Sequence, residues 1–395
     1  MYDYRLSEYF KIKRLIENKN LEQVSKQLNI DKKELSSIEN GKIKITNHYQ
    51  EKYNSFFKIV HLSSKEIKQF HKWYNQLSTS ILFYENRLNI FLKCPIDITR
   101  LSFSIYYIDY LVMKYICYPD KTLRILLEKC LIKEDAHNYF AFSIFNANYY
   151  MINKNIDKAK FWIKDNLSIN KSDFFYPMYL YISASIYNRT GDIHKSISNL
   201  KEAISIFKQS NNTKRYFFSL IIRAIQETNL KDYKNSEQIY CTLLNNYQNI
   251  TYYDLDYIRF NLSWAYIRQK EYKKSILILN QITNKSIMDN EFYFLYAFNN
   301  YKLNNYDECT KYIIYSQNSP QNNSFCSKYL TILIQALKYG ENYRYETRLK
   351  NLLKRSYKVN DLTDIHFVLT QLLEYYQKRN LEYLYEETLK KYNEL

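Results

Sequence analysis

Five times between residues 147 and 313 the chain repeats one spacing: a small residue, Ile or Tyr nine positions on, a second small residue three further, and a large apolar residue four beyond that. The sets are Ala147, Ile156, Ala159 and Ile163; Ala184, Ile193, Ser196 and Leu200; Ala224, Tyr233, Ser236 and Tyr240; Ser263, Tyr272, Ser275 and Leu279; and Ala297, Tyr306, Cys309 and Ile313. Their middle markers lie 37, 40, 39 and 34 residues apart. A period in that range marks an array of helical hairpins, in which small side chains let two helices approach and large ones fill the gap beside them. No single hairpin of this kind buries its own apolar face, so neighbours must stack.

Composition supports an all-α chain. Only 3 Gly and 4 Pro in 395 residues leave little for β-turns or phosphate-cradling loops, while 44 Tyr and 22 Phe supply enough apolar area to argue against disorder. Cysteines at 94, 117, 130, 241, 309 and 326 show no Cys-x-x-Cys spacing and no clustering with the six His, so neither a metal site nor a disulfide framework is expected. No Gly-rich phosphate loop, His-Glu-x-x-His or nucleophile elbow is present, and no enzyme activity or cofactor is expected. The start MYDYRLSEYF is unlike a signal peptide, and no stretch of about 20 residues is free of charge, which points to the cytoplasm and away from a membrane.

Residues 20–41, NLEQVSKQLNIDKKELSSIENG, predict two short capped helices. Asn20 with Gln23 and Asp31 with Glu34 have capping-box spacing. Leu21, Val24 and Leu28 share one face of the first helix, and Leu35 and Ile38 share one face of the second. Asn29 suits a left-handed turn and Gly41 a helix stop. With Leu35 and Ile38 turned inward, Lys32, Lys33, Ser36, Ser37 and Asn40 face outward, as on a recognition helix in the major groove. Asn20 and Lys42 complete this candidate DNA-contacting set. The alternative is the solvated face of an ordinary helical hairpin.

The segment IDKKELSSIENG resembles the recognition helix and terminating Glu-x-Gly of Xre and Cro/C1 repressor-like domains, over about residues 5 to 60. That resemblance implies that Arg14 pairs with Glu39 inside the domain. Leu21 and Asn29 depart from the family, which often has a phosphate-touching glutamine and a turn glycine there. A closing helix is expected from Asn47 to Val60, capped by Thr46. The expected organisation is a DNA-binding domain over 1–62, a linker helix over 63–95 capped by Ser63 or Ser64, and a repeat domain over 96–395. The clearest repeats span 140–318, with a capping pair over 361–395. In the linker, Ile67, Phe70, Trp73, Tyr74, Leu77, Ile81 and Tyr84 follow helical spacing; Ile98 to Tyr115 and Lys121 to Leu131 look like a degenerate pair.

The formal charge of +17 suits a polyanion binder, but residues 1–62 hold 12 Lys+Arg against 8 Asp+Glu, leaving +13 spread over the rest. A denser run comprises Arg344, Arg348, Lys350, Lys354, Arg355 and Lys358, with Glu346 its one acid. Contact with DNA or an acidic partner competes there with a plain solvated face.

The repeats resemble tetratricopeptide repeats, most clearly in residues 179–207; an armadillo-like or irregular α-solenoid is the alternative. The expected fold is thus an N-terminal helix-turn-helix domain followed by a right-handed α-solenoid with a concave peptide-binding face. On the consensus register the inward positions include Asn148, Tyr181, Ser185, Asn188, Arg189, Asn229, Tyr257, Asn261, Trp264, Arg268, Phe298 and Lys302. Asparagines suit a peptide backbone, Trp264 and Tyr257 an apolar pocket, and Arg189 or Arg268 a carboxylate.

Helix-turn-helix plus repeats resembles the RRNPP group of peptide-pheromone receptors. The resemblance implies a cytoplasmic homodimer of quorum-sensing type that binds a short oligopeptide and an inverted-repeat site on double-stranded DNA. It also ranks Asn148, Asn188, Asn229 and Asn261 as backbone-holding residues. The rival is a protein-interaction scaffold whose residues 5–60 merely fold; a phosphatase role like that of some Rap-type relatives is a further alternative.

Overall fold

The computed structural model describes residues 4–133, 136–164, 171–246, 252–284, 289–319 and 324–394, and every regular element among them is a helix. Two compact units divide the chain, one holding residues 1–153 and 158–182, the other 154–157 and 183–395.

The first unit opens with α1 (Tyr4–Ile16), α2 (Leu21–Leu28), α3 (Lys32–Glu39) and α4 (Asn47–Phe57). Asn20 caps α2 through the Gln23 amide, and Gln23 Oε1 accepts from the Asn20 amide at 2.8 Å, the reciprocal pair its spacing predicts. Asp31 caps α3 through the Lys33 and Glu34 amides, but Glu34 does not reciprocate; its carboxylate accepts the Tyr49 hydroxyl instead. Asn29 adopts φ 50, ψ 56, and Gly41 adopts φ 69, where a Cβ would stand 2.9 Å from both Tyr4 and Ile132 side chains. Val24, Leu28, Leu35, Ile38 and Phe57 are buried with Phe10 and Tyr53, whose rings stack at 3.9 Å; Leu21 is only half-buried.

Arg14 and Glu39 form the ion pair implied by the resemblance. The guanidinium donates to Glu39 through Nε at 2.8 Å and NH2 at 2.7 Å, and through NH1 to the Lys19 carbonyl at 3.0 Å. Both side chains are buried, so one fork fixes the end of α3 against α1 and the α1–α2 turn.

The unit continues through α5 (Ser64–Phe83), α6 (Arg87–Phe91), α7 (Ile98–Leu101), α8 (Tyr107–Cys117), α9 (Lys121–Cys130), α10 (Ala136–Ile152) and α11 (Ile156–Lys164). Packing of α1 on α8 and α9 is tied by polar contacts: Ile132 N to Glu8 Oε1 at 2.7 Å, Tyr9 Oη to the Ser102 carbonyl at 3.0 Å, and Val60 N to the Phe103 carbonyl at 2.7 Å.

Three helices are shorter than expected. α4 stops at Phe57 because Lys58 turns left-handed and the Val60 amide is engaged by Phe103. α5, capped reciprocally by Ser63 and Glu66, ends at Phe83 rather than running toward Pro95. Tyr84 and Asn86, at φ 60 and 30, reverse the chain so that Trp73 Nε1 donates to the Ile90 carbonyl of α6 at 2.9 Å. Phe70, Trp73, Tyr74, Leu77 and Ile81 are buried as their spacing predicts, whereas Tyr84 is exposed. The expected helix from Ile98 to Tyr115 is broken into α7 and α8, since Asp97 caps a single turn.

The hairpins that follow are α12 (Tyr176–Thr190) with α13 (Ile193–Gln209), α14 (Thr213–Asn229) with α15 (Tyr233–Asn246), α16 (Tyr252–Arg268) with α17 (Tyr272–Leu279), and α18 (Asn290–Lys302) with α19 (Tyr306–Gln317). Then come α20 (Ser324–Tyr339) with α21 (Tyr343–Val359), and α22 (Leu362–Lys378) with α23 (Glu382–Asn393). Each middle marker of the sequence period is the first residue of a second helix, and every small residue of the pattern is fully buried. The hydroxyls there also bond: Ser196 Oγ donates to the Ala184 carbonyl at 2.7 Å, Ser236 Oγ to Ala224 at 2.9 Å, and Ser275 Oγ to Ser263 at 3.1 Å. Successive hairpins are linked through the same atoms, with Gln226 Nε2 donating to Ser196 Oγ at 2.6 Å and Asn299 Nδ2 to Ser275 Oγ at 2.9 Å. The turns need a left-handed residue, supplied by Gly191 and Gly340 but also by Lys154, Lys231, Lys270, Asn304 and Asn380.

Arg14→Ala, which strands a buried carboxylate, is expected to cost about 3–5 kcal/mol in urea unfolding, and the Arg14→Met/Glu39→Leu double variant to recover most of that loss. Ser236→Ala should cost about 1 kcal/mol for the lost hydrogen bond. Ser236→Val, which also pushes the helices apart, should cost more, by the same measurement.

Candidate functional site

The residues singled out above fall on α3 and its flanks and on the first helices of the hairpins. Around α3, Lys32, Lys33, Asn40, Lys42 and Asn20 are exposed and Ser36 and Ser37 half-buried. Several of these side chains already have internal partners. Asn20 Oδ1 caps α2, Ser37 Oγ donates to the Lys33 carbonyl at 2.9 Å, and Asn40 donates to the Ser36 carbonyl while accepting from Lys11 Nζ at 2.6 Å. Lys32 stands 4.0 Å from Glu22. The outcome is a cationic face with short polar side chains, rigidly backed by buried Leu35, Ile38 and Glu39.

The other residues lie on the first helices of the hairpins, divided between the two units. Asn148 on α10 and Tyr181 on α12 are half-buried in the first unit; Ser185, Asn188, Arg189, Asn229, Tyr257, Asn261, Trp264 and Arg268 belong to the second. Asn229 Nδ2 donates to Asn188 Oδ1 at 3.2 Å, which brings two of the singled-out asparagines together. Asn261 spends a donor on the Tyr257 carbonyl of its own helix at 2.8 Å.

In the second unit this face is partly covered by α22 and α23. Arg189 NH1 stands 3.4 Å from Asp361 Oδ2, and Arg268 NH2 3.4 Å from the Thr363 carbonyl. Trp264, expected in an open apolar pocket, packs against Phe294 and Phe367 with centroids at 5.9 and 5.8 Å. Phe298 is fully buried, and Lys302 Nζ is bound by Glu374 Oε2 at 2.6 Å while Lys270 takes its other oxygen at 3.0 Å.

Two cavities lie where the C-terminal hairpin meets the first helices of its neighbours. One of about 290 Å³ is lined by Asn188, Asn229, Lys231, Thr363, His366 and Tyr392 among others. The other, about 270 Å³, is lined by Tyr233, Arg268, Lys270, Phe367, Glu374 and Tyr392 among others. Each falls just short of the roughly 300–1,000 Å³ of small-ligand pockets, enough for one or two side chains rather than an entire peptide. Sequence reasoning did not single out Asp361, His366, Phe367, Glu374 or Tyr392, because α22 and α23 lack the small-residue pattern that locates the other hairpins.

Charge is unusual along α22. Burial, with Arg268 and Lys231 nearby, lowers the His366 imidazole to about 4, and its Nδ1 is buried without a hydrogen-bond partner. Burial and the neighbouring Asp361 push Asp364 up to about 7, against the pull of Lys154 and Arg189.

Fold and surfaces together define an all-α protein in which stacked helical hairpins follow a small capped four-helix segment. No protein-family model and no curated protein matches the sequence. Solved structures do share the fold. A Rap protein in complex with competence and sporulation factor superposes with a TM-score of 0.63 at 13% identity, over 84% of this chain and 98% of that one. The Rap conjugation gene regulator of plasmid pLS20, in complex with a Phr peptide, gives 0.55 at 12% identity over 82% and 93%. Aspartyl phosphate phosphatase F of Bacillus subtilis gives 0.52 at 15% identity over 85% and 94%. The helical-repeat fold is therefore that of the Rap structures, and no helix among the described residues is long and apolar enough to cross a membrane.

Linkage gives the pH dependence of the hairpin. His366, depressed to about 4, contributes stability that is present above about 6.5 and lost as pH falls through 4; Asp364, raised to about 7, contributes stability present below about 4 and lost as pH rises through 7. Relative to wild type, His366→Gln should gain stability by about 1–3 kcal/mol between pH 7 and pH 4, and Asp364→Asn by a similar amount between pH 4 and pH 8. Urea unfolding across that range reads both.

Proposed function

We propose that this chain is a cytoplasmic transcriptional regulator whose affinity for an operator is set by a short signalling peptide bound by its helical repeats. The observation that carries the DNA half is the outward face of α3: Lys32, Lys33, Ser36, Ser37 and Asn40, with Lys42 just beyond, on a helix anchored by the buried Arg14–Glu39 fork. Lysines neutralise phosphates, and Ser and Asn reach base edges. The peptide half is supported by likeness to Rap structures, two of which hold a peptide or factor. On this reading Asn188 and Asn229 hold peptide backbone, with Asn148, Tyr181, Ser185, Tyr257, Asn261 and Trp264 as further contacts. Arg189 or Arg268 meets a peptide carboxylate in place of Asp361 or the Thr363 carbonyl. The working species is a homodimer on an inverted repeat, of the RRNPP kind, with domains 1–62, 63–95 and 96–395.

A ligand shifts the DNA-binding state only as far as it prefers one conformation of the repeats, and moving a population from about 1:99 to about 99:1 takes roughly 5.5 kcal/mol. Beside the apolar packing of Phe367, the contacts of Arg189 with Asp361 and of Arg268 with the Thr363 carbonyl are of the polar, exchangeable kind that a peptide can replace. A second reading, favoured by the phosphatase F structure among the neighbours, is that the repeats capture a partner protein and residues 5–60 only fold.

Gel shifts with the DNA upstream of the coding sequence discriminate these readings. Lys33→Ala with Ser37→Ala is expected to abolish preference for that DNA over random duplex while leaving the helical spectrum intact. Unchanged affinity in the double variant overturns the assignment of α3. Binding to a synthetic pentapeptide to heptapeptide library is expected to fall at least tenfold in Asn229→Ala and Arg268→Ala; equal retention by both would overturn the peptide assignment.

A further inference from the structure

α21 carries a face used neither by hairpin packing nor by the candidate DNA and peptide contacts above. Its buried side is Tyr345, Leu349, Leu352 and Ser356. At 3.6 residues per turn, Arg344, Thr347, Arg348, Asn351, Lys354, Arg355 and Lys358 fall within an arc of about 120° away from that side. All seven are exposed. Five are cations and none is an acid. Glu346 lies outside the arc, held by Lys350 Nζ at 2.7 Å and the Tyr376 hydroxyl at 3.0 Å.

Several exposed helical lysines elsewhere on this chain pair with an acid within a turn, as in Lys26–Glu22, Lys195–Asp192, Lys311–Glu308 and Lys391–Glu387. On α21, among the described residues, no carboxylate pairs with Arg348, Lys354, Arg355 or Lys358, and Arg344 Nε donates only to the Tyr343 hydroxyl at 3.0 Å. Like charges one turn apart, as in Arg344 with Arg348 and Lys354 with Lys358, repel and destabilise a helix. A face built for solvation alone intersperses acids.

The composition of the stripe selects its partner. Protein interfaces are anchored by apolar or aromatic side chains at the centre, and this arc has none; exposed Tyr343 and Tyr357 lie beyond its edge. Phosphodiester contacts draw on cations and neutral hydrogen-bonding side chains, which are what Thr347 and Asn351 add between the charges. At 1.5 Å per residue the stripe is about 21 Å long, over which one strand of a duplex presents about six phosphates.

We propose that the outer face of α21 is a second DNA contact, sequence-independent, that grips the phosphate backbone. The inference deepens the DNA-binding reading, yet it is tested apart from α3. Binding of the full-length chain to a random-sequence 30-base-pair duplex would be followed by fluorescence anisotropy from 50 to 300 mM KCl. For Arg344→Ala/Arg348→Ala/Arg355→Ala, the slope of log affinity against log salt is expected to shrink by about 2.7, or about 0.9 per lost phosphate contact. At 100 mM KCl the affinity should fall at least tenfold. The matching Arg→Lys triple variant should keep the slope, since a phosphate needs the charge and not the fork. Lys33→Ala/Ser37→Ala should lose sequence preference with at most about one unit of slope, so failure of the α3 assignment would leave the stripe's contribution visible. A folded alanine triple variant with wild-type slope would overturn the proposal. So would a wild-type chain that ignores random duplex, or one whose arginines matter for polyglutamate but not for DNA.

Discussion

The hairpin array depends on one contact repeated along it: two helices drawn together at a pair of small residues twelve positions apart, to which three of the five hairpins add a bond from the hydroxyl of the second to the carbonyl of the first. Ser196, Ser236 and Ser275 each do this at a fully buried position. A methyl group would permit the approach but leave the carbonyl's second lone pair without a partner. A larger group would prevent the approach altogether. Because Gln226 and Asn299 then bond those same hydroxyls, the atoms that close one hairpin also set its distance from the next. Local closure and global stacking are thus a single interaction, which explains why the pattern survives in a chain whose other positions have drifted.

Within the second unit the first helices of the hairpins share a side, and what sits on that side governs any binding there. It is the terminal hairpin. Its hold combines rings, as in Phe367 with Trp264, and charges, as in Glu374 with Lys270 and Lys302. The ring contacts resemble ordinary core. Beside them, burial and Asp361 hold Asp364 at about 7, so its charge, and with it the attachment of this hairpin, changes near neutral pH.

Much of this was legible in the residues. The period located five second helices to the residue, because close packing admits few alternatives to Ala, Ser or Cys. Asn20, Asp31, Thr46 and Ser63 marked helix starts, because a free amide at a helix end seeks the nearest short acceptor. The helix ends were harder to read. Tyr84 and Lys58 take left-handed conformations that neither residue type advertises, and both were read as helical. The inner-face residues were identified by register, but register is silent about a distant segment folding over them. Arg189, Trp264 and Arg268 therefore looked available when Asp361, Phe367 and Thr363, from a hairpin outside the pattern, already meet them.

Three hairpin tips carry lysine where glycine would be free of backbone strain: Lys154, Lys231 and Lys270. Each of these cations bears on the terminal hairpin. Lys154 pulls against the raised titration of Asp364, Lys231 Nζ lies 4.5 Å from the Tyr392 ring centroid, and Lys270 binds Glu374. A glycine would relax the turn and release the grip, so these tips act as ionic latches whose strength depends on the surrounding electrolyte. Dissolved salt weakens such latches and leaves the apolar clasp of each helix pair intact. The terminal hairpin is thereby a part of the stack whose hold ionic strength alone can loosen.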